Sequence, residues 1–496
     1  MRVQPAFFVL LVSLTAATAA QTVESPSRDL SVGRRQPVNT TQLIAWLAGA
    51  IPGSRLARVV SERGLANLPT NNELHLLEAA GAGKDLLRVV CSGDVQSARI
   101  GAAIPASLLK AAAEIRQQKF PEAEIDLREV IGSDQANSAL HFALSGVYRQ
   151  EEKWDDAFDE LEQALRLMPD LSDHHAALAY LFYRLDDGPN AIAEARTALS
   201  LDPNNADAYQ YLGLGLYSNY QYRAAVHAYA ESLGRDPNNA DTYYDMGIAL
   251  HADGNIPGAI AAYQRAIRLR PEFWEAHSNL GLILHEQGNL DQAVTEYREA
   301  KRIAPGEASV QNNLGNTYCD QGNYRLAIEE LQSLYSKHPE WQQGHACLAS
   351  AYMAEKNYDA AVEQLRLALR QNPTGSTEHR ILGQALMLAN RPEDALRELR
   401  LAVSLDPSSE AAHHLLGTVL FQEQQAGAAE KEFREALRLN ASADNHYSLA
   451  ACLISMDRNA EALAELESAE RLDPEHPLYH ARREELLKVM KETKTQ

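Results

Sequence analysis

A regular series of prolines constrains the fold of this chain more than its other sequence features do. Eight prolines, from Pro169 to Pro407, follow one another at intervals of 34 residues. Proline ends a helix because it lacks an amide donor and disfavours helix in the residue before it. A fixed interval of this length predicts repeated two-helix units that stack on each other, rather than separate globular domains. The series is Pro169, Pro203, Pro237, Pro271, Pro305, Pro339, Pro373 and Pro407.

The residues within each interval repeat as well. Counted from the third residue after the proline, positions 7, 8 and 11 are large, small and large, as in Leu212-Gly213-Leu216. Small residues at positions 8 and 20 let the two helices of a unit approach closely, and large residues at 7, 11 and 24 fill the space between neighbouring helices. The pattern predicts ten units over residues 138–476. They begin near residues 138, 172, 206, 240, 274, 308, 342, 376, 410 and 443.

With this period and this pattern, the segment 138–476 resembles the tetratricopeptide-repeat (TPR) family. A degenerate unit is predicted over 104–137, and residues 477–491 are predicted to form a C-terminal capping helix that covers the last apolar face. The resemblance implies an all-α fold, a right-handed TPR superhelical solenoid whose first helices line a concave groove. In the family, that groove commonly binds extended peptides or partner helices.

The N-terminal 100 residues differ from the repeats. Residues 1–20 have the features of a signal peptide: Arg2, an apolar run that starts at Phe7, and small residues before a cleavage point after Ala19 or Ala20. The alternative is an uncleaved membrane anchor. Residues 21–40 are predicted to be a disordered tether and 41–100 a small helical bundle. Because the remaining sequence has no long apolar segment, we predict a secreted or periplasmic mature chain without an integral membrane segment.

Composition and motifs narrow the possible functions. The net charge of −21 and the pI near 5.2 argue against nucleic-acid binding, which calls for a basic surface. Catalytic and phosphate-binding motifs such as HExxH, GxSxG and the P-loop do not occur, so we expect no enzyme activity and no cofactor. The four cysteines lack metal-ligand spacing, and most of them are interpreted as small buried hydrophobes, with a Cys319–Cys347 disulfide as the alternative.

Histidines recur at position 4 of the units. They are interpreted as a semi-buried packing column, because side chains on adjacent helices lie too far apart to share a metal ion. His251 and His285 instead fall on the expected groove wall, where a metal ion bridged by Asp245 is the alternative interpretation. No metal site is predicted. The position-4 histidines are His141, His175, His277, His345, His379, His413 and His446.

The family resemblance also selects candidate groove residues, at positions 2, 5, 6, 9, 12 and 13 of each first helix. Asn279 and Asn313 share position 6 and resemble the asparagine ladder of O-linked N-acetylglucosamine transferase, whose catalytic region this chain lacks. Met353, Met387 and Phe421 form a more apolar wall further along. The alternative for all these residues is ordinary solvated or inter-repeat surface. The candidate peptide-binding residues are Asp207, Tyr211, Asp241, Tyr244, Asp245, Glu275, Asn279, Asn312, Asn313 and Asn316.

Together these features predict a non-catalytic scaffold or adaptor that binds a protein or peptide partner in its groove, outside the cytoplasm. Two alternatives remain open. One is an accessory subunit of a glycosyltransferase or polysaccharide-export system, and the other is a spacer that self-associates through its ends. The sequence makes no prediction of the oligomeric state.

Overall fold

The computed structural model describes residues 36–92 and 103–494. In this part of the chain all regular structure is helical, apart from one isolated parallel bridge between Val38 and Leu65. The all-α prediction is confirmed. The expected signal peptide and residues 21–35 of the expected tether lie outside the described residues. None of the described helices combines the length and the apolar character that crossing a membrane requires.

The chain divides into two compact units, which are described separately. Unit 1 ends at Ala276 and unit 2 begins at His277. Unit 1 starts with four short helices, α1 (Thr40–Ala48), α2 (Gly53–Arg63), α3 (Asn71–Ala79) and α4 (Lys84–Ser92). The helical region begins before residue 41, its predicted start. Val38 is fully buried, and Asn39 forms a reciprocal capping box with Gln42 at the start of α1.

The rest of unit 1 consists of helix pairs in the order first helix, second helix. The first pair corresponds to the degenerate unit, with Ala111 and Leu127 fully buried between its helices. The pairs are α5 (Ala106–Arg116) and α6 (Phe120–Ser133), α7 (Ser138–Gln150) and α8 (Trp154–Leu167), α9 (Ser172–Arg184) and α10 (Gly188–Leu201), α11 (Ala206–Ser218) and α12 (Tyr222–Arg235), and α13 (Ala240–Ala252) and α14 (Ile256–Leu269).

Unit 2 continues the same alternation. It takes up most of α15 (Trp274–Glu286) and its partner α16 (Leu290–Ile303), and it ends in the long helix α27 (Pro477–Lys494). Between them lie α17 (Ala308–Asp320) and α18 (Tyr324–Lys337), α19 (His345–Ala354) and α20 (Tyr358–Gln371), α21 (Ser376–Leu388) and α22 (Pro392–Leu405), α23 (Glu410–Gln422) and α24 (Ala426–Leu439), and α25 (Ala443–Ser455) and α26 (Asn459–Leu472).

The small residue at position 8 is a steric requirement of the helix pair. A Cβ atom on Gly213 would lie 2.4 Å from the Tyr229 ring, which fills the space between α11 and α12. Gly247 stands in the same relation to Tyr263 in the next pair, at 2.6 Å. Both tyrosines are almost fully buried. Position 8 thus packs against the tyrosine at position 24 of the same repeat, a contact that the sequence pattern, which paired position 8 with position 20, does not predict.

The turn between the two helices of each repeat places one residue in the left-handed region. Gly254, Gly288 and Gly322 occupy this position with φ between 74° and 80°. Glycine adopts that conformation without the Cβ penalty that other residues incur. In eight further repeats a non-glycine residue has φ between 57° and 60° at the same place. These residues are Gln118, Glu152, Asp186, Tyr220, Lys356, Asn390, Gln424 and Asp457.

One first helix is shorter than the repeat pattern predicts. The unit expected near residue 342 has its first helix, α19, beginning only at His345. Gly344, the residue before it, has φ of 91°, which is incompatible with a continuous helix. A Cβ atom at Gly344 would also lie 2.7 Å from the amide oxygen of Asn312, so this turn packs against the preceding first helix.

Candidate functional site

Within each unit, neighbouring first helices are in closer contact with each other than neighbouring second helices are. In unit 1, α9 contacts α11 and α11 contacts α13; in unit 2, α17 contacts α19 and α21 contacts α23. First helices therefore lie on the tighter side of the stack. We call the surface that they present the inner face, one for each unit. The predicted groove residues lie on these first helices.

The N-terminal helices occupy part of the inner face of unit 1. Arg55 of α2 is buried, donates to Asn205 Oδ1 at 2.5 Å and hydrogen-bonds Asp207. Its Nε lies 3.0 Å from Asp173 Oδ1. Burial acts to lower the pKa of Arg55, and the two carboxylates more than offset it. Asp207, predicted to contact a partner, is thus held by the chain's own α2, a contact that no feature of the sequence indicates.

Two further arginines of α2 reinforce this attachment. Arg58 Nη1 lies 2.7 Å from Asp202 Oδ1, and Arg63 Nη2 lies 2.9 Å from Asp170 Oδ1. Buried residues of the segments 38–90 and 108–181 share one hydrophobic core, so α1 to α4 are built into the start of the array. The inner face that α2 leaves uncovered begins beyond Asp207.

Asp241 also has a partner within the chain. Arg270 at the end of the repeat donates two parallel hydrogen bonds to its carboxylate, at 2.9 and 2.6 Å. The pair is largely exposed, so its contribution to stability is small. Glu275, the corresponding residue on α15, is half-buried and belongs to unit 1. Asp241 was predicted as a groove acid, and the nearby Arg270 cancels most of its charge.

Tyrosines dominate the inner face of unit 1. The Tyr211 ring lies 5.3 Å from that of Tyr180, and the Tyr244 ring lies 4.9 Å from that of Phe273. Burial, together with the negative charge of Asp207, raises the pKa of Tyr211. Both predicted tyrosines keep part of their surface in solvent. The repeats that follow α2 therefore offer flat aromatic surface with hydroxyl groups at its edge, which suits contact with protein side chains.

Asp245 lies among these tyrosines. Gln210 of the preceding first helix donates one hydrogen bond to Asp245 Oδ2 at 2.8 Å. Burial raises the pKa of Asp245 to about 7, and that hydrogen bond only partly offsets the effect. The charge of Asp245 in turn helps burial to raise the pKa of Tyr183 to about 12. Asp245 is therefore a carboxylate at the edge of ionisation near neutral pH, in an aromatic environment.

The predicted asparagines of unit 2 fall into two classes. Asn279, Asn313 and Asn316 are half-buried on the first helices α15 and α17. Asn312, by contrast, is buried, because it faces the turn at Gly344 rather than solvent. The amide oxygens of Asn312 and Asn316 are both buried without a hydrogen-bond partner. Asn312 is therefore removed from the set of surface residues.

Further along unit 2, the inner face is apolar. Met353, Met387 and Phe421 are half-buried, and they pack against the core together with Ile381 and Leu415. These residues occupy positions 6 and 12 of successive first helices. Flexible methionine side chains adapt to differently shaped apolar partners. The apolar wall expected from the sequence lies on the inner face of unit 2.

Cys319 and Cys347 form a disulfide that joins α17 to α19, with Cα atoms 6.2 Å apart. The interpretation of these two residues as buried small hydrophobes was wrong. They stand at positions 12 and 6 of neighbouring first helices, and the helices cross so that these positions meet. Of the other two cysteines, Cys91 is exposed and Cys452 is buried. The inner face of unit 2 thus carries a covalent crosslink between two repeats.

The histidine column proves to be a set of hydrogen-bonded pairs. His175 Nδ1 lies 2.6 Å from Glu194 Oε2 of the second helix, and His175 Nε2 lies 2.8 Å from the carbonyl oxygen of Pro169. Sequence reasoning missed the glutamates, although each follows its histidine by 19 residues. The same His–Glu contact recurs as His141–Glu160, His277–Glu296, His379–Glu398, His413–Glu432 and His446–Glu465.

The alternative of a metal ion at the groove wall finds no ligand set. Over residues 36–92 and 103–494, no three His, Cys, Asp or Glu side chains are grouped as metal ligands would be. His285 Nε2 instead lies 2.7 Å from Asp320 Oδ2, one first helix further on. His174, adjacent to the column, is fully buried, and burial lowers its pKa to about 3, so it is neutral.

The geometry describes stacked two-helix repeats with a structured inner face, and sequence comparison identifies their family. One tetratricopeptide-repeat model matches residues 108–173, 212–272, 244–308, 312–376 and 414–477, and a second TPR model matches residues 352–419. These matches cover more than half of the chain. The chain therefore belongs to the tetratricopeptide-repeat family. A search of curated proteins finds no match to the sequence.

Three solved structures with similar repeats cover different shares of this chain. MamA 41-end from Desulfovibrio magneticus RS-1 is 18% identical and covers 34% of this chain and 95% of its own, with a TM-score of 0.33. Pseudomonas aeruginosa pilF is 19% identical and covers 44% of this chain and 99% of its own, with a TM-score of 0.38. The APC/C hetero-tetramer Cut9–Hcn1 is 13% identical and covers 77% of this chain and 96% of its own, with a TM-score of 0.39. With TM-scores below 0.5, these likenesses add no argument about function.

Proposed function

We propose that this chain is a non-catalytic scaffold or adaptor that binds a protein or peptide partner on the inner faces of its repeats. The observation that supports this most is the composition of those faces beyond α2. In unit 1 they present Tyr211, Tyr244 and Asp245, and in unit 2 they present half-buried asparagines and then an apolar wall. Aromatic, amide and methionine side chains are typical of surfaces that bind polypeptides.

The same proposal places the chain outside the cytoplasm, secreted or periplasmic. The sequence of residues 1–20, with the features of an export signal, is one support. The Cys319–Cys347 disulfide is an independent one, because structural disulfides form and persist in oxidising compartments. A tagged chain expressed in its native host would test this part. We expect it to lack residues 1–19 or 1–20 and to fractionate outside the cytoplasm; an intact N-terminus in the cytoplasm would reject the location.

Partner binding is tested by affinity purification from the native host with two groups of substitutions. The inner-face variant changes Asn279, Asn313 and Asn316 to Ala, leaving the buried Asn312 intact. The control variant changes exposed leucines of second helices, Leu167, Leu405 and Leu472, to Ser. We expect the first variant to lose at least 80% of the recovered partner by quantitative mass spectrometry, as an order-of-magnitude expectation for several contacts of about 1 kcal/mol each. Equal recovery by both variants would reject the inner-face assignment.

A further inference from the structure

Asp245 is a half-buried acidic residue on the inner face of unit 1, and the described residues supply it with no cation. Among the described residues it has one hydrogen bond, from Gln210 Nε2, and no ion pair. The groups that interact with it are Gln210 of α11, Tyr183 of α9, Tyr229 of α12 and, on its own helix, Asp241. None of these groups supplies a positive charge, and the nearby Arg270 donates its two hydrogen bonds to Asp241. A carboxylate in such a place is costly unless something compensates it.

The same face shows how it holds a cation where one is supplied. One repeat earlier, the guanidinium of Arg55 lies between Asp173 and Asp207 on successive first helices. Tyr211 is close enough to Asp207 and Arg55 that both charges act on its pKa. Arg149 likewise stands 5.8 Å from the centre of the Tyr180 ring. On this face, carboxylates therefore bind one arginine and a tyrosine ring packs near another.

Asp245 combines two of these elements, a carboxylate and a nearby tyrosine, without an arginine. Tyr183 and Tyr217 are half-buried at position 12 of the two preceding first helices, Asp245 occupies position 6 of α13, and the charge of Asp245 acts on the pKa of Tyr183. A carboxylate near a tyrosine ring favours a guanidinium, which donates charged hydrogen bonds in its plane and stacks on aromatic faces. α2 ends at Arg63, and its described ion pairs with the inner face end at Asp207, one repeat before Asp245.

Resting on the proposed function, we propose that Asp245 binds the guanidinium of an arginine side chain from the partner polypeptide, with Tyr183 nearby. The partner segment then places a basic residue one repeat beyond Arg55, the arginine that α2 contributes. The charge complementarity is general as well as local, since the chain carries a net charge of −21. A lysine side chain is the weaker ligand, because it lacks the planar donor fork.

The test uses the full mature chain and capped, fluorescein-labelled peptides of alternating Arg and Ser, with Lys–Ser and citrulline–Ser peptides as comparisons. Citrulline keeps the shape of arginine without its charge. The variants are Asp245→Asn, which keeps an acceptor for Gln210, and Glu272→Gln, an exposed acid on a turn of the same unit. Circular dichroism and thermal melting of both variants should match the parent chain or, for Asp245→Asn, exceed it.

We expect Asp245→Asn to weaken arginine-peptide binding at least fivefold and Glu272→Gln to change it less than twofold, measured by fluorescence anisotropy. The citrulline peptide should bind at least fivefold more weakly than the arginine peptide. Binding by the parent chain should strengthen as pH rises, with a midpoint near 7 that Asp245→Asn removes, because Asp245 carries charge only above its pKa of about 7. Equal effects of the two variants, or a midpoint near 4, would overturn the proposal.

The two proposals fail in different ways. If the native partner is recovered through the inner face but Asp245→Asn leaves arginine-peptide affinity unchanged, the arginine site is wrong and the scaffold function stands. If arginine-peptide binding depends on Asp245 but the inner-face variant recovers as much native partner as the parent chain does, the scaffold assignment fails. The arginine site is then not a binding site for that partner either.

Discussion

His175 Nδ1 lies 2.6 Å from Glu194 Oε2, so a hydrogen bond between two titratable groups joins the first helix of that repeat to its second helix. We call this contact the His–Glu clasp. Six repeats share this clasp at distances of 2.6 to 2.7 Å. The repeat of α19 and α20 differs, since His345 Nδ1 contacts the amide oxygen of Gln364 at 2.8 Å. The contrast allows the role of the carboxylate to be measured.

Completing the clasp should stabilise that repeat at low pH. Burial lowers the pKa of His345, whereas the hydrogen bond to Glu160 raises that of His141. Gln364→Glu should therefore raise the pKa of His345. A raised histidine pKa adds stability that is fully present below the unfolded value near 6.5 and is lost as pH rises through the folded value. We expect a gain of roughly 0.5–1 kcal/mol at pH 5.5 and none at pH 8.5.

Amide hydrogen exchange in α19 and α20 provides the measurement, since it reports the local opening free energy of single repeats. Gln342→Glu, an exposed change of the same type in the nearby turn, serves as the control and should have little effect. A gain from Gln364→Glu that is the same at both pH values would show that the histidine does not take part.

The close approach at Gly213 predicts a strongly position-dependent effect of one methyl group. Gly213→Ala would place a Cβ 2.4 Å from the buried Tyr229 ring, which has no room to move. We expect a loss of roughly 1–3 kcal/mol from overpacking. Gly234→Ala in α12, where a Cβ meets nothing within 4 Å, should instead gain up to about 1 kcal/mol. Urea unfolding of the two variants distinguishes these outcomes; equal effects would contradict the packing account.

Removing Arg55 should loosen the N-terminal helices. Arg55→Ala leaves Asp173 buried and Asp207 without its cation, which costs roughly 3–5 kcal/mol for a buried pair. Arg58→Ala removes a more exposed pair and should cost less than about 1 kcal/mol. Limited proteolysis of residues 40–92 measures the effect. If Arg55→Ala is cut no faster than Arg58→Ala, α2 is not held through Arg55.

The disulfide predicts the thiol count and the stability of unit 2. Denatured without reductant, the chain should expose two thiols, those of Cys91 and Cys452. Replacing Cys319 and Cys347 by Ser should lower the stability of unit 2 by roughly 3–4 kcal/mol, because the bond closes a loop of 28 residues in the unfolded chain. Cys91→Ser should be neutral. A titration that finds four thiols in the purified, unreduced protein would refute the pairing.

Much of the fold follows from local pattern. Proline spacing and the small residues at positions 8 and 20 act within one repeat, so the sequence alone indicates both the helices and their close approach. Gly254, Gly288 and Gly322, also 34 residues apart, mark the left-handed turn residue in the same way. The His–Glu contact could also have been predicted from the sequence, since the spacing of 19 residues between His175 and Glu194 is the same in all six repeats that have it.

What the sequence did not reveal depends on contacts between distant segments. Arg55 meets Asn205 and Asp207 about 150 residues further on, and no periodic signal links them. The Cys319–Cys347 pair depends on how neighbouring first helices cross, which the repeat length alone leaves undetermined. For the same reason, burial of Asn312 became evident only with the displaced start of α19.

Site-specific photo-crosslinking tests the central claim most directly. A photoreactive phenylalanine analogue would be placed at inner-face positions Tyr217 and Met387 and at the exposed second-helix positions Leu167 and Leu472 of the full chain in its native host. We predict that a partner polypeptide crosslinks at Tyr217 or Met387 and not at Leu167 or Leu472. Crosslinks confined to the second helices, with the inner-face positions silent, would contradict the account.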